Sequence, residues 1–113
     1  KVVLSDLARS DMAECVEDAF RYEKTVLATT TYNGDIFPFM KHFIDALTER
    51  GFKNKTVALM ENGTWAPTAA RIMRTMLEKC KDVNVLEAAV TIKSAVDEEA
   101  QRQIEHMAQE LCK

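Results

Sequence analysis

Two polar and aromatic segments lie where predicted strands give way to predicted helices. The first covers residues 29–38 and follows the apolar run 25–28, and the second covers residues 61–65 and follows the apolar run 56–60. In open α/β sheets, ligands bind at the edge formed by the carboxyl ends of the strands. Hydroxyl, amide and aromatic side chains there can enclose a flat ring and bond to its polar edge. The candidate binding residues are Thr29, Thr30, Thr31, Tyr32 and Asn33 in the first segment, and Asn62, Gly63, Thr64 and Trp65 in the second.

The elements around these segments alternate between strand and helix. Apolar runs predict strands at residues 2–4, 25–28, 56–60 and 83–86, the last resumed at 90–92. Helix starts are predicted by Asp11 with Glu14, by Pro38, by Pro67 and by Ser94-x-x-Asp97. Short strands with helical crossovers predict an α/β fold with three α/β/α layers and a doubly wound parallel sheet.

Composition narrows the class of protein. A chain of 113 residues is one domain, spanning residues 1–113, with a net charge of −3. It has no basic block of the kind that binds nucleic acid. No apolar run approaches the roughly 20 residues of a membrane helix. The three cysteines are odd in number and far apart, which favours a cytoplasmic protein without a disulfide framework.

Other reactive residues do not form a recognisable catalytic or metal site. His42 and His106 are isolated and predicted to be surface or half-buried residues. The carboxylates of Asp35 and Glu61 are predicted to form an exposed rim beside the polar segments. Phe37 is assigned, with Phe39, to the core or an interface. Three cysteines are interpreted as small apolar residues on helix faces, namely Cys15, Cys80 and Cys112.

The polar segments resemble those of a known family. The run Thr29-Thr30-Thr31-Tyr32-Asn33 followed by Phe37-Pro38, and the later Asn62-Gly63-Thr64-Trp65, are similar to flavodoxin-like domains. The nearest resemblance is to the C-terminal flavodoxin module of flavodiiron proteins, the A-type flavoproteins. This resemblance implies that FMN binds at the nine candidate residues, with Tyr32 and Trp65 as walls for the flavin ring.

The chain also departs from that family pattern. Thr30 stands where the family has proline, and the family's first strand and glycine-rich phosphate loop have no counterpart, since the only glycines are Gly34, Gly51 and Gly63. By register, residue 1 falls at the family's second strand, which suggests a fragment of a longer flavoprotein. The missing strand is central in the order 2-1-3-4-5, so a gap or an open edge is expected. FMN binding by this fragment is expected to be weak or absent.

Two functions follow from these features. The first is an FMN-binding electron-transfer domain that passes electrons to a di-iron site elsewhere in a flavodiiron parent, as part of an oxidoreductase that reduces oxygen or nitric oxide. Its expected partners are a rubredoxin- or reductase-like donor and the di-iron domain.

The second is a flavodoxin-fold fragment without a cofactor that serves a structural or interaction role. Under the second, Tyr32 and Trp65 only cap the core, and residues 29–31 are only β-branched strand residues. The sequence leaves open whether the chain forms a homo-oligomer.

Overall fold

The fold alternates helices and strands around one sheet. A computed structural model describes residues 2–32, 35–62, 68–80, 82–87, 89–92 and 97–112. In chain order the elements are α1 (Met12–Arg21), β1 (Lys24–Tyr32), β2 (Asp35–Ile36), α2 (Pro38–Glu49), β3 (Lys55–Asn62), α3 (Ala69–Leu77), β4 (Val83–Val85), β5 (Val90–Ile92) and α4 (Glu98–Leu111).

Strand β3 is the centre of the sheet. It pairs in parallel with β1 on one side, and in parallel with both β4 and β5 on the other. β4 lies beside the first half of β3 and β5 beside the second half, so the predicted resumption of the strand at 90–92 is confirmed. β2 forms a short antiparallel pair with the end of β1.

Alternate residues of β3 bury opposite faces of the sheet. Val57 and Leu59 face a core shared with α1, α2 and α3. Ala58 packs on the other face in a cluster that includes Met107 of α4. Helices therefore cover both faces, and the predicted three-layer, doubly wound parallel sheet is confirmed. No helix in the described part of the chain is long and apolar enough to cross a membrane.

Helix ends follow their sequence signals. The Asp11 carboxylate accepts a hydrogen bond from the Ala13 N–H at the start of α1. Pro38 occupies the first turn of α2, where its missing N–H costs no helical bond. Gly51 follows that helix with a φ of +75°, a conformation that favours glycine. Asp97 caps α4 through the Ala100 N–H; Ser94 and Pro67 lie outside the described residues.

The predicted strand at residues 2–4 is wrong. Residues 2–6 have no regular structure, and Val2 and Leu4 are 92% and 94% exposed. A strand needs a neighbour to satisfy its peptide groups, and no described strand lies beside this segment. A groove of about 1280 Å³ instead lies along residues 2–8 and β1. Among the described strands, only β2 pairs with β1 on the side away from β3, and it reaches only Thr31 and Tyr32.

The buried centre of the sheet predicts a contrast between two strand substitutions. Leu59→Ala should lower the free energy of unfolding by about 2–5 kcal/mol, because Leu59 is fully buried and its loss leaves a cavity. Val26→Ala, on the open part of β1, should cost less than about 1 kcal/mol. Urea unfolding of both variants measures this difference, and equal losses would contradict the assignment of the core.

Candidate functional site

The first polar segment is mostly strand. β1 runs on to Tyr32, so residues 29–32 are its last four residues rather than part of a loop. The interpretation of residues 29–31 as β-branched strand residues is confirmed for the backbone. The chain then pairs back through β2 and enters α2 at Pro38. The strand-to-helix transition expected from the sequence is therefore present, shifted by four residues.

The ends of β1 and β3 bring described residues of both polar segments together. Thr29 lies beside Glu61 in the parallel register, and Thr30 lies beside Asn62. The Thr30 hydroxyl donates a hydrogen bond of 2.9 Å to the Asn62 carbonyl oxygen, which ties the two strand ends. This edge presents hydroxyl, amide and peptide groups at the carboxyl end of the sheet.

The remaining candidate residues are only partly described. Thr31 and Tyr32 belong to the end of β1 by their backbone, and their pairing with β2 continues the sheet at this edge. Asn33, Gly63, Thr64 and Trp65 lie outside the described residues. Their assignment to the site stays a prediction from the sequence.

The sequence suggested that Glu61 lies on an exposed rim, and this prediction is wrong. Its side chain is only 9% exposed, and both carboxylate oxygens are hydrogen-bonded. Oε1 accepts from the Ala70 N–H at 3.1 Å, and Oε2 accepts from the Thr91 hydroxyl at 2.8 Å. The carboxylate therefore joins the end of β3 to the first turn of α3 and to β5. The positive end of a helix dipole favours an anion at that place.

Thr91 and the buried role of Glu61 were missed by sequence reasoning. The sequence feature that indicates the buried role of Glu61 is its position, directly after an apolar strand run and shortly before a helix. Thr68, the N-cap residue of α3, makes no side-chain capping bond, and Glu61 supplies a capping acceptor from the strand instead. The bond from Thr91, thirty positions along the chain, depends on the pairing of β5 with β3, which the spacing did not predict.

Phe37 and Phe39 stack on each other at the start of α2. Their ring centroids are 5.9 Å apart, with planes inclined by 27°. They are 37% and 41% exposed, so the core alternative for this pair is wrong and the interface alternative stays a prediction. Both line the groove beside β1, as do Thr29 and Thr30.

The histidines and cysteines are the other reactive side chains of the described chain. His42 and His106 are exposed, as predicted. Cys15 is buried in the core, Cys80 is half-buried and Cys112 is exposed, and all three are free thiols. Within the described residues, no three histidine, cysteine or acidic side chains group into a metal site.

The fold is that of a flavodoxin-like protein. The chain belongs to the NADPH-dependent FMN reductase family, whose model matches residues 4–101. Family membership and fold together support a redox function that involves FMN. No curated protein sequence matches the chain.

Solved structures of low sequence identity share the fold. A flavodoxin from the domain Archaea has a TM-score of 0.74 and 14% identity over 95% of this chain and 75% of its own. The FMN-bound flavodoxin of Fusobacterium nucleatum has a TM-score of 0.63 and 15% identity, covering 88% and 78%. Rubredoxin oxygen:oxidoreductase from the anaerobe Desulfovibrio gigas has a TM-score of 0.71 and 15% identity over 88% of this chain. The chain spans 31% of that oxidoreductase.

The buried carboxylate predicts a stability difference between two Glu61 variants. Glu61→Ala should lower the free energy of unfolding by about 1–3 kcal/mol, because the Ala70 N–H and the Thr91 hydroxyl lose their acceptor. Glu61→Gln should cost less, since the amide oxygen still accepts from Ala70 and the amide N–H₂ can donate to Thr91. Urea unfolding compares both variants with Glu17→Ala, which removes an exposed carboxylate of α1. A Glu61→Ala protein as stable as Glu17→Ala would contradict the bonding described here.

Proposed function

We propose that this chain is an FMN-binding electron-transfer domain of a flavodiiron protein. The observation that carries the proposal is the junction of β1 and β3, where Thr29, Thr30 and Asn62 meet at the carboxyl edge of a parallel sheet. This is the place where open α/β folds bind ligands. The family match to NADPH-dependent FMN reductases supports FMN as the ligand.

The described residues fit the ring of FMN in their chemistry. Threonine hydroxyls donate and accept hydrogen bonds, and amide and peptide groups do both, as the polar edge of a flavin requires. When bound, FMN supplies the redox chemistry, and the protein contributes position and hydrogen bonds. Tyr32 and Trp65 are proposed as the flat walls on the strength of the sequence resemblance.

The FMN phosphate needs a second element. A phosphate is held by N–H donors at a helix N-terminus or a backbone nest, usually built from glycines. None of Gly34, Gly51 and Gly63 belongs to a glycine-rich array. The ring site and the phosphate site are therefore separable here, and the ring site is the one this chain carries.

Electron transfer is favoured over chemistry on an organic substrate. The groups proposed to face the ring are hydroxyls and amides, which bind and orient a ring but do not move protons readily at neutral pH. We propose a rubredoxin- or reductase-like electron donor and a di-iron acceptor domain as partners. The run from Thr29 to Asn33 followed by Phe37-Pro38 supports this specific role.

A second candidate function is a cofactor-free interaction module. The groove beside β1 favours it, because an open strand edge with exposed apolar residues is a surface for protein association. FMN binding separates the two candidates directly, since bound flavin gives the protein a yellow colour.

FMN affinity should depend on the missing phosphate element. The 113-residue chain should bind FMN weakly, and a version extended at its N-terminus by a strand and helix of roughly thirty residues with a glycine-rich loop should bind tightly. Titration should quench the fluorescence of Trp65, the single tryptophan, in the extended protein. Riboflavin, which lacks the phosphate, is the control ligand, and its affinity should rise little with the extension.

Unchanged Trp65 emission at saturating FMN would exclude Trp65 as a ring wall. Tight FMN binding by the short chain would contradict the argument that the phosphate needs a further element.

The flavin-loaded domain should carry electrons without reducing gases quickly. It should accept electrons from dithionite or a reductase, and consume oxygen or nitric oxide slowly until a di-iron domain is added. Absorbance at the flavin bands and gas electrodes measure the two steps. Rapid consumption of either gas by the isolated domain with iron chelated would overturn the electron-transfer assignment.

A further inference from the structure

Glu61 is the only buried polar residue in the described part of the chain. Burial of a carboxylate costs free energy unless the group is paired and hydrogen-bonded. The ion pairs of the described residues lie elsewhere, within residues 6–9, α1 and α4, so none of these pairs neutralises Glu61. A neutral glutamine could make similar hydrogen bonds without burying a charge. The negative charge is therefore the property of Glu61 that capping alone does not explain.

The hydrogen bonds to Glu61 leave most of that charge in place. Both donors are neutral groups, the Ala70 N–H and the Thr91 hydroxyl. Acceptance by both oxygens is the bonding pattern of an ionised carboxylate. The N-terminus of α3 contributes about half an elementary positive charge, which offsets only part of the carboxylate's charge. A net negative field therefore remains at the carboxyl end of β3.

This charge lies next to the residues proposed to bind the flavin ring. Glu61 directly precedes Asn62 in β3 and lies beside Thr29 of β1 in the parallel register. Thr30, which follows Thr29, bonds to the Asn62 carbonyl. Charges in partly buried surroundings are screened much less than charges in open solvent. The carboxylate can therefore act on a ligand at this edge without touching it.

Neighbouring elements hold the carboxylate in place. Its bond to Ala70 fixes one oxygen to α3, and its bond to Thr91 fixes the other to β5. Thr91 is itself held from α4, because its N–H donates to the Gln103 side-chain oxygen at 2.8 Å. A carboxylate bonded on two sides cannot turn towards solvent when a second negative charge arrives, unless these bonds break.

We propose that Glu61 makes the strand-end site discriminate between oxidised and reduced flavin. This inference rests on the proposed binding of FMN at this edge. Uptake of two electrons and one proton gives the flavin ring one more negative charge. The fixed carboxylate repels that charge, so the oxidised form is bound more tightly than the reduced form. Bound flavin is thereby made a stronger electron donor, which suits an electron-transfer domain.

The ratio of two dissociation constants tests this role. Anaerobic ultrafiltration of the 113-residue chain at mildly alkaline pH, with up to millimolar FMN, gives the Kd of oxidised FMN and that of FMN reduced by dithionite. Glu61→Gln removes the charge and keeps an acceptor for Ala70. It should shift the ratio about tenfold in favour of reduced FMN, the size of one charge–charge repulsion in a partly buried site. A purely structural change would alter both constants by the same factor and leave the ratio unchanged.

Two control variants separate charge from hydrogen bonding and from net charge. Thr91→Val removes one hydrogen bond but keeps the carboxylate, and Glu17→Gln removes an exposed carboxylate of α1. Neither should shift the ratio towards reduced FMN.

Binding of both forms with the same ratio in Glu61→Gln as in the unaltered chain would overturn the inference and leave flavin binding intact. An equal shift in Thr91→Val or in Glu17→Gln would also overturn it. A chain that binds neither form at millimolar FMN would overturn the proposed ring site, and this inference with it.

Discussion

The structure depends on the burial of β3 from both faces and along both edges. Val57 and Leu59 are fully buried towards α1, α2 and α3, and Ala58 is fully buried on the opposite face. Neighbouring strands hydrogen-bond to both edges of β3. Its two faces are apolar, so helices must cover the sheet on both sides. Every other strand is placed relative to β3, directly or through β1. Loss of packing on β3 would therefore disturb both the core and the candidate site.

The candidate site follows from that central placement. Because β1 and β3 are parallel and in register, their carboxyl ends meet, and Thr30 can bond to the Asn62 carbonyl. Glu61 adds a second junction, since its carboxylate links β3 to α3 and to β5. The edge proposed to bind the flavin ring is thus fixed by hydrogen bonds to three neighbouring elements.

Sequence pattern alone determined the class of fold and most of its elements. Apolar periodicity and capping residues are local signals, so α1, α2, β3 and the split last strand were all predicted near their observed positions. Register and burial are not local. Glu61 and Thr91 become partners only when β5 pairs beside β3. Residues 2–4 have an apolar strand pattern, but no strand in the described part of the chain lies beside them. Tertiary structure decided these points, because a hydrogen bond between distant segments depends on which strands lie side by side.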